Sequence, residues 1–412
     1  MLEFFYWVWI VVLAFLSKAA RIKFGFWANH YVLTNFYWGL CLFISIFNNY
    51  YEHPVEDKIY YIFFIGTLFF NLTLFTSKIQ KIPSSFPSTT YSLKKLRVLQ
   101  IIAIAAVLPM AYENLKIILS GGELWKMYME YWENRESNSY LKEFISQNFV
   151  QPLSFVIMST CMYVNFKNAK KYSSILTLTI GVLLAILNML MTAGGRTGLM
   201  QFCFFIFLSY IAGIVLDKEN VILKLSKKAL IIIAIIGIGA FTFATLGRGG
   251  ENVLDIIFER ISLFPAVFEA YYQSGICDGY HWGLSMFETP VSFLLYPFKF
   301  LGFDVNFERI SAIVSDDIWT PATSSFHNAA VSAYTFYMRD FGPFGVFIGP
   351  YIVGKLYNFL WQVCRKQTFL IVFYFSGVCV TCLDSTYPFA RGYFFAIIIA
   401  FFVNNILVNK KS

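Results

Sequence analysis

Charge is scarce in this chain. Asp, Glu, Lys and Arg make up 14% of its 412 residues, against about 25% in ordinary soluble domains, and no stretch is polar enough to stand as a separate soluble domain. Signs of cofactor chemistry are also missing. No nucleotide-binding glycine loop, zinc-ligand spacing or acidic metal cluster is present, so neither a cofactor nor a metal is expected. The seven cysteines form no disulfide framework. Cys41, Cys161, Cys203, Cys379 and Cys382 lie inside apolar runs and read as buried thiols. Cys364 sits beside basic residues, and Cys277 stands alone in a loop. Met1 to Trp7 contains neither a basic leader nor a small-residue cleavage site, so the first apolar run is expected to stay as a span.

What is present is apolar surface. Hydrophobic residues reach 58% and aromatics 20%, with mean hydropathy +0.61, and they come in blocks of about 17 to 22 residues, the length that crosses about 30 Å of hydrocarbon. Residues 1–412 therefore read as one all-α membrane domain, a polytopic helix bundle with about eleven transmembrane helices. The spans fall near 4–17, 31–47, 59–76, 98–119, 150–166, 173–193, 198–216, 229–247, 330–354, 368–384 and 392–408. A net charge of +8 could suggest nucleic acid, but the lysines cluster at span ends, the mark of membrane topology. The expected surroundings are a lipid bilayer, with no nucleic-acid partner.

Loop charges alternate as the positive-inside bias requires. Lys18, Arg21 and Lys23 follow the first span, Lys78, Lys81, Lys94, Lys95 and Arg97 the third, and Lys410 and Lys411 the last; the lysine-rich connections after spans five, seven and nine complete the series. The opposite connections carry Glu52, Glu56 and Asp57, then an aromatic and acidic loop over 120–149, then a long segment over 248–329 between the eighth and ninth spans. This alternation places the N-terminus outside and the C-terminus in the cytoplasm. The long segment holds ten carboxylates against four basic residues, and loops of that length are usually functional. Within it Leu254, Ile257, Phe258, Ile261 and Phe264 recur at helical spacing with Asp255, Glu259 and Ser262 on another face, predicting an interfacial helix. Pro290 and Pro297 frame a piece over 284–300 that reads as re-entrant or interfacial.

In the sixth and seventh spans, Ala193-Gly194-Gly195-Arg196-Thr197-Gly198 interrupts two apolar runs. It is echoed by Ala244-Thr245-Leu246-Gly247-Arg248-Gly249-Gly250, and both end a span at the predicted outer face. Collecting ionisable residues at that mouth gives Arg196, Arg248, Arg260, His327, Arg339, Asp340 and Arg391. Five are arginines on the side where positive charge is uncommon, which points to an extracytoplasmic anion. A lipid-linked diphosphate suits the fork geometry of arginine. The alternatives remain open: Arg196 could snorkel to headgroups, Arg339 could neutralise Asp340, and Arg248 could pair with Glu251. His327-Asn328 near the end of the long loop is tuned for proton transfer, or His327 is simply a hydrogen-bonded interfacial residue.

The Gly-Gly-Arg-Thr-Gly break, the long outer loop and the segment Asp340-Phe341-Gly342-Pro343-Phe344-Gly345 together resemble the O-antigen and capsule repeat-unit polymerases called Wzy, and more distantly the O-antigen ligases. The similarity covers the layout of residues 170–390. It implies a glycosyltransferase at the outer face of a bacterial plasma (inner) membrane, polymerising undecaprenyl-diphosphate-linked oligosaccharide repeat units. It also implies a chain-length regulator and a flippase as partners. On this resemblance Arg196, Arg248 and His327 would be catalytic, and Arg260, Asn328, Arg339, Asp340 and Arg391 would bind substrate. The ligases follow their His-Asn pair with Gly-x-x-Gly after nine residues, whereas here Gly342 and Gly345 come four residues later, about one helical turn. A ligase, or a flippase or transporter of lipid-linked sugar, is the competing reading.

Overall fold

The computed structural model describes residues 1–47, 51–83, 90–120, 253–303, 318–327, 331–383 and 393–409, with scattered positions between 149 and 190. The described chain is mostly helical. Three helices are long and apolar enough to cross a membrane: α1 (Leu2–Phe24), α2 (His30–Phe47) and α3 (Asp57–Thr76). They match the first three predicted spans. A short strand β1 (Thr90–Tyr91) precedes α4 (Leu93–Leu119), where the fourth was expected. The chain continues with α5 (Val253–Gln273), α6 (Glu288–Phe300), β2 (Ile318–Thr320), β3 (Ser325–His327), α7 (Ala333–Phe341) and α8 (Gly345–Cys364). Last come α9 (Thr368–Phe373), a π-helical turn at Tyr374–Val378, α10 (Cys379–Leu383), α11 (Tyr393–Leu407) and β4 (Val408–Asn409). Most of the fifth and sixth predicted spans, and all of the seventh and eighth, lie outside the described residues.

Two compact units are built from this chain. The first takes residues 1–82, 254–362 and 381–390, the second 83–253, 363–380 and 391–412. In the first unit, α1 packs on α2 and α3 through a narrow stripe of Tyr6, Trp9, Leu13, Ala20 and Phe24. Only 17% of its most apolar window is buried; Phe4, Trp7, Val11 and Phe15 face outward. A helix apolar on every side but buried along one stripe is built for lipid. Side-chain hydrogen bonds fix its register, Tyr6 donating to the Gly39 carbonyl (3.0 Å) and Trp9 Nε1 to the Phe64 carbonyl (3.2 Å).

Polar side chains join the helices where apolar packing alone would leave them free to slide. Asn35 and Asn71 exchange amide hydrogen bonds of 3.1 and 2.7 Å between α2 and α3. On α8, the Asn358 amide donates to Tyr31 Oη (2.6 Å) and to Ser77 Oγ (3.1 Å), and its carbonyl accepts from His30 Nε2 (3.2 Å). All four of Asn35, Asn71, Asn358 and His30 are buried. Buried amides satisfied in this way fix one arrangement, because every slipped register would strand a donor or acceptor.

Two expectations from the sequence change. The ninth span was read as one helix over 330–354; instead α7 ends at Phe341, a 3-10 turn covers Gly342–Phe344, and α8 restarts at Gly345. The cause is Gly342, whose φ of 56° and ψ of −145° fall in a region essentially reserved for glycine, followed by Pro343, which cannot donate. α5 forms as the periodicity predicted, but Ser262, expected on the polar face, is buried, as are Leu263, Val267, Phe268 and Glu269. Its C-terminal half packs on neighbours rather than lying with a free polar face. Phe268 meets Phe63, and Glu269 accepts the Glu56 amide at 2.7 Å.

The second unit is described more sparsely. α11 packs on α4 and α9, and β1 pairs antiparallel with β4. Asn404 donates to Gln367. The π-helical turn at Tyr374–Val378 interrupts what was read as the tenth span.

Candidate functional site

The last turn of α7 carries Arg339 and Asp340, both buried at 6% and 0% exposure. Asp340 faces the connection between α5 and α6. Its Oδ1 accepts the Ser285 amide at 2.9 Å and its Oδ2 the Met286 amide at 2.8 Å. The backbone of the same turn does likewise, the Arg339 carbonyl accepting from His281 N (3.3 Å) and the Asp340 carbonyl from Trp282 N (3.0 Å). Two residues of α7 thus take four amide hydrogens of one loop. A carboxylate buried without such donors would cost several kcal/mol; here the donors supply what water would have supplied.

The loop itself is Gly275 to Phe287, with Gly279-Tyr280-His281-Trp282-Gly283 at its tip. The glycine its tip rests on is a spatial requirement. A Cβ on Gly342 would lie 2.8 Å from the Tyr280 ring, so the ring seats directly against the helix break. Cys277, near the start of the loop, is buried, and burial pushes its thiol up to about 12 despite the nearby Arg339. It is a packing residue, not a nucleophile. Tyr280 and Trp282 remain exposed at 54% and 77%, their ring centroids 5.9 Å apart and tilted by 35°.

His327 lies elsewhere in the first unit, on a two-stranded hairpin of β2 and β3 in which Ile318 faces His327 and Trp319 faces Phe326. An all-helical reading missed this hairpin. Its turn brings Thr323 Oγ1 and Ser325 Oγ each within 2.8 Å of His327 Nε2, and Ala322 receives the amides of Glu52 and His53. The imidazole is therefore oriented by two hydroxyls, an arrangement open both to proton transfer and to a purely structural role.

The other expected site residues divide plainly. Arg196, Arg248, Asn328 and Arg391 lie outside the described residues. Arg260 falls on the α5 backbone, and its side chain is likewise outside them. Reasoning from sequence missed Tyr280, His281, Trp282 and Ser285, although the glycine-bracketed Tyr-His-Trp tip was a signal in plain view. A cavity of about 30 Å³ between α2, α3, α7 and α8, lined by Thr34, Trp38, Thr67, Tyr337 and Tyr357 among others, has room for water but not for a sugar.

With three helices apolar and long enough to cross a membrane, the chain belongs to the class of helical membrane proteins. No family model, curated protein or solved structure matches it, so its place within that class is argued from its own residues.

Proposed function

We propose that this chain polymerises undecaprenyl-diphosphate-linked oligosaccharide repeat units at the outer face of a bacterial plasma membrane, as its resemblance to the Wzy polymerases implies. The observation that supports this most is the state of the Asp-Phe-Gly-x-x-Gly segment. It is a built joint between α7 and α8, with a fully buried Asp340 holding a loop that presents His281, Tyr280 and Trp282. A glycosyl transferase fed by lipid diphosphate has a good leaving group. Its chief task is to stabilise the developing charge on the diphosphate, which arginines such as Arg196 and Arg248 would do. An acceptor hydroxyl must also lose a proton, and His327 is the candidate base.

Deletion of the gene, read by a glycan ladder, tests the reading. One repeat attached where many were present means polymerase; no glycan attached means ligase or an earlier step. In the same assay Arg196→Ala or Arg248→Ala should abolish polymer while the protein stays in the membrane. Normal long-chain ladders from both variants would falsify the assignment. The helix break at Gly342–Phe344 and the π turn at Tyr374–Val378 favour a second reading, a transporter of lipid-linked sugar, since interrupted helices are common in transporters. That reading predicts loss of all outer-face glycan on deletion.

A further inference from the structure

We propose that Tyr280 and Trp282 form a stacking platform for sugar rings of the lipid-linked glycan; the identity of the occupant rests on the polymerase reading above. The starting point is the backbone. Trp282 has φ of 53°, one of two non-glycine residues with positive φ among those described. For a bulky aromatic this is a genuine outlier, and such strain persists where the surroundings over-determine it, most often at functional sites. The surroundings do so here. The Trp282 amide is held by the Asp340 carbonyl, the His281 amide by the Arg339 carbonyl, and the Ser285 and Met286 amides by the Asp340 carboxylate, whose exposure is 0%.

The result is a rigid tip whose largest side chain points away from the protein. Trp282 is 77% exposed, so its strain serves no internal packing. A bilayer anchor gains nothing from a fixed backbone, because interfacial tryptophans work in any conformation that reaches the headgroups. A stacking surface does gain, since two rings set at 5.9 Å and 35° give a preformed shallow trough with no ordering cost on binding. The neighbours suit sugar hydroxyls: exposed Asp278 accepts, and the partly exposed His281 ring both donates and accepts. Gly342 completes the design, because only a residue without a side chain lets the Tyr280 ring seat against the helix break.

The test uses full-length protein in phosphatidylethanolamine and phosphatidylglycerol nanodiscs. Its probe is the repeat-unit oligosaccharide obtained by partial depolymerisation of the source bacterium's surface polysaccharide. Saturation-transfer NMR should mark the sugar ring C–H protons with wild-type protein, fall roughly fivefold with Trp282→Gly, and stay near wild type with Trp282→Phe. Glycine relieves the backbone strain, so the Trp282→Gly protein should melt no lower than wild type, which separates lost stacking from lost folding. Undiminished saturation with Trp282→Gly overturns the platform, as does absence of saturation with the wild-type protein. Reduced tryptophan quenching by brominated acyl chains in Trp282→Gly, with saturation unchanged, assigns the residue to the bilayer and overturns it equally. Binding is read without polymer formation, so a normal ladder in the deletion strain would sink the polymerase reading while leaving this measurement to decide the platform.

Discussion

Asp340 shows how much a single side chain can be asked to do. Both its oxygens accept backbone amides of a loop more than fifty residues away in sequence, and none of its surface reaches solvent. Replacing it with Asn turns one acceptor into a donor facing an N–H, leaving two buried donors opposed at a cost of about 1–3 kcal/mol. Asp340→Asn should therefore lower the melting temperature and open the 279–286 loop to proteolysis, with cleavage between Tyr280 and Leu284 as the measured sign. The motif containing Asp340 was legible in the sequence. The role was not, because a carboxylate's partners are set by folding, and nothing local in residues 337–345 announces Ser285 and Met286. The carboxylate positions the loop, and any contact with substrate belongs to the groups that loop presents.

At the scale of elements, the packing of α7 against α8 depends on close approach. A Cβ on Gly349 would run into the Tyr337 ring, and one on Gly66 of α3 into the Tyr334 ring. Both tyrosines are buried, and a Cβ at either glycine would have to push its ring aside within a closely packed interior. Gly349→Val should destabilise by about 1–3 kcal/mol, as overpacked interiors do, read as a drop in detergent-solubilised thermal stability while Gly349→Ala falls between. Helices α1 to α4 were legible because long apolar runs bounded by charge leave few alternatives. The α7–α8 break was hidden, since Phe341-Gly342-Pro343-Phe344 keeps the run hydrophobic while glycine redirects the chain. The hairpin around His327 was missed for a related reason: three-residue strands carry too few positions to display an alternation. On α5 the helical periodicity was legible and the burial of Ser262 was not. Ser262 reads as part of a polar face, yet its side chain is buried, and one turn and more beyond it the Glu56 amide finds the buried Glu269 carboxylate.

For the whole molecule, charge separates along the three N-terminal helices. Glu52, Glu56 and Asp57 lie at one end, and at the other Lys23 donates to the Leu74 carbonyl (2.7 Å) and Lys355 to the Thr76 carbonyl (2.6 Å). On the positive-inside bias the lysine end is the one expected in the cytoplasm. In a cysteine-free background, an impermeant maleimide should label Glu52→Cys in intact cells and Lys78→Cys only after permeabilisation. The reverse pattern would invert the expected orientation and move the Tyr280 loop to the wrong side for a polymerase.

The polar seam between α2 and α8 also sets an order of events at the ribosome. Asn35 meets Asn71 and Tyr31 meets Thr73 within the first three helices, but the bonds of His30 and Tyr31 to Asn358 wait for a residue more than three hundred positions later. At ordinary translation speeds that is roughly fifteen seconds to a minute. Throughout that interval the newborn helices lack the amide that ties His30 and Tyr31 together. The arrival of α8 then adds Asn358 to the seam and clasps α2.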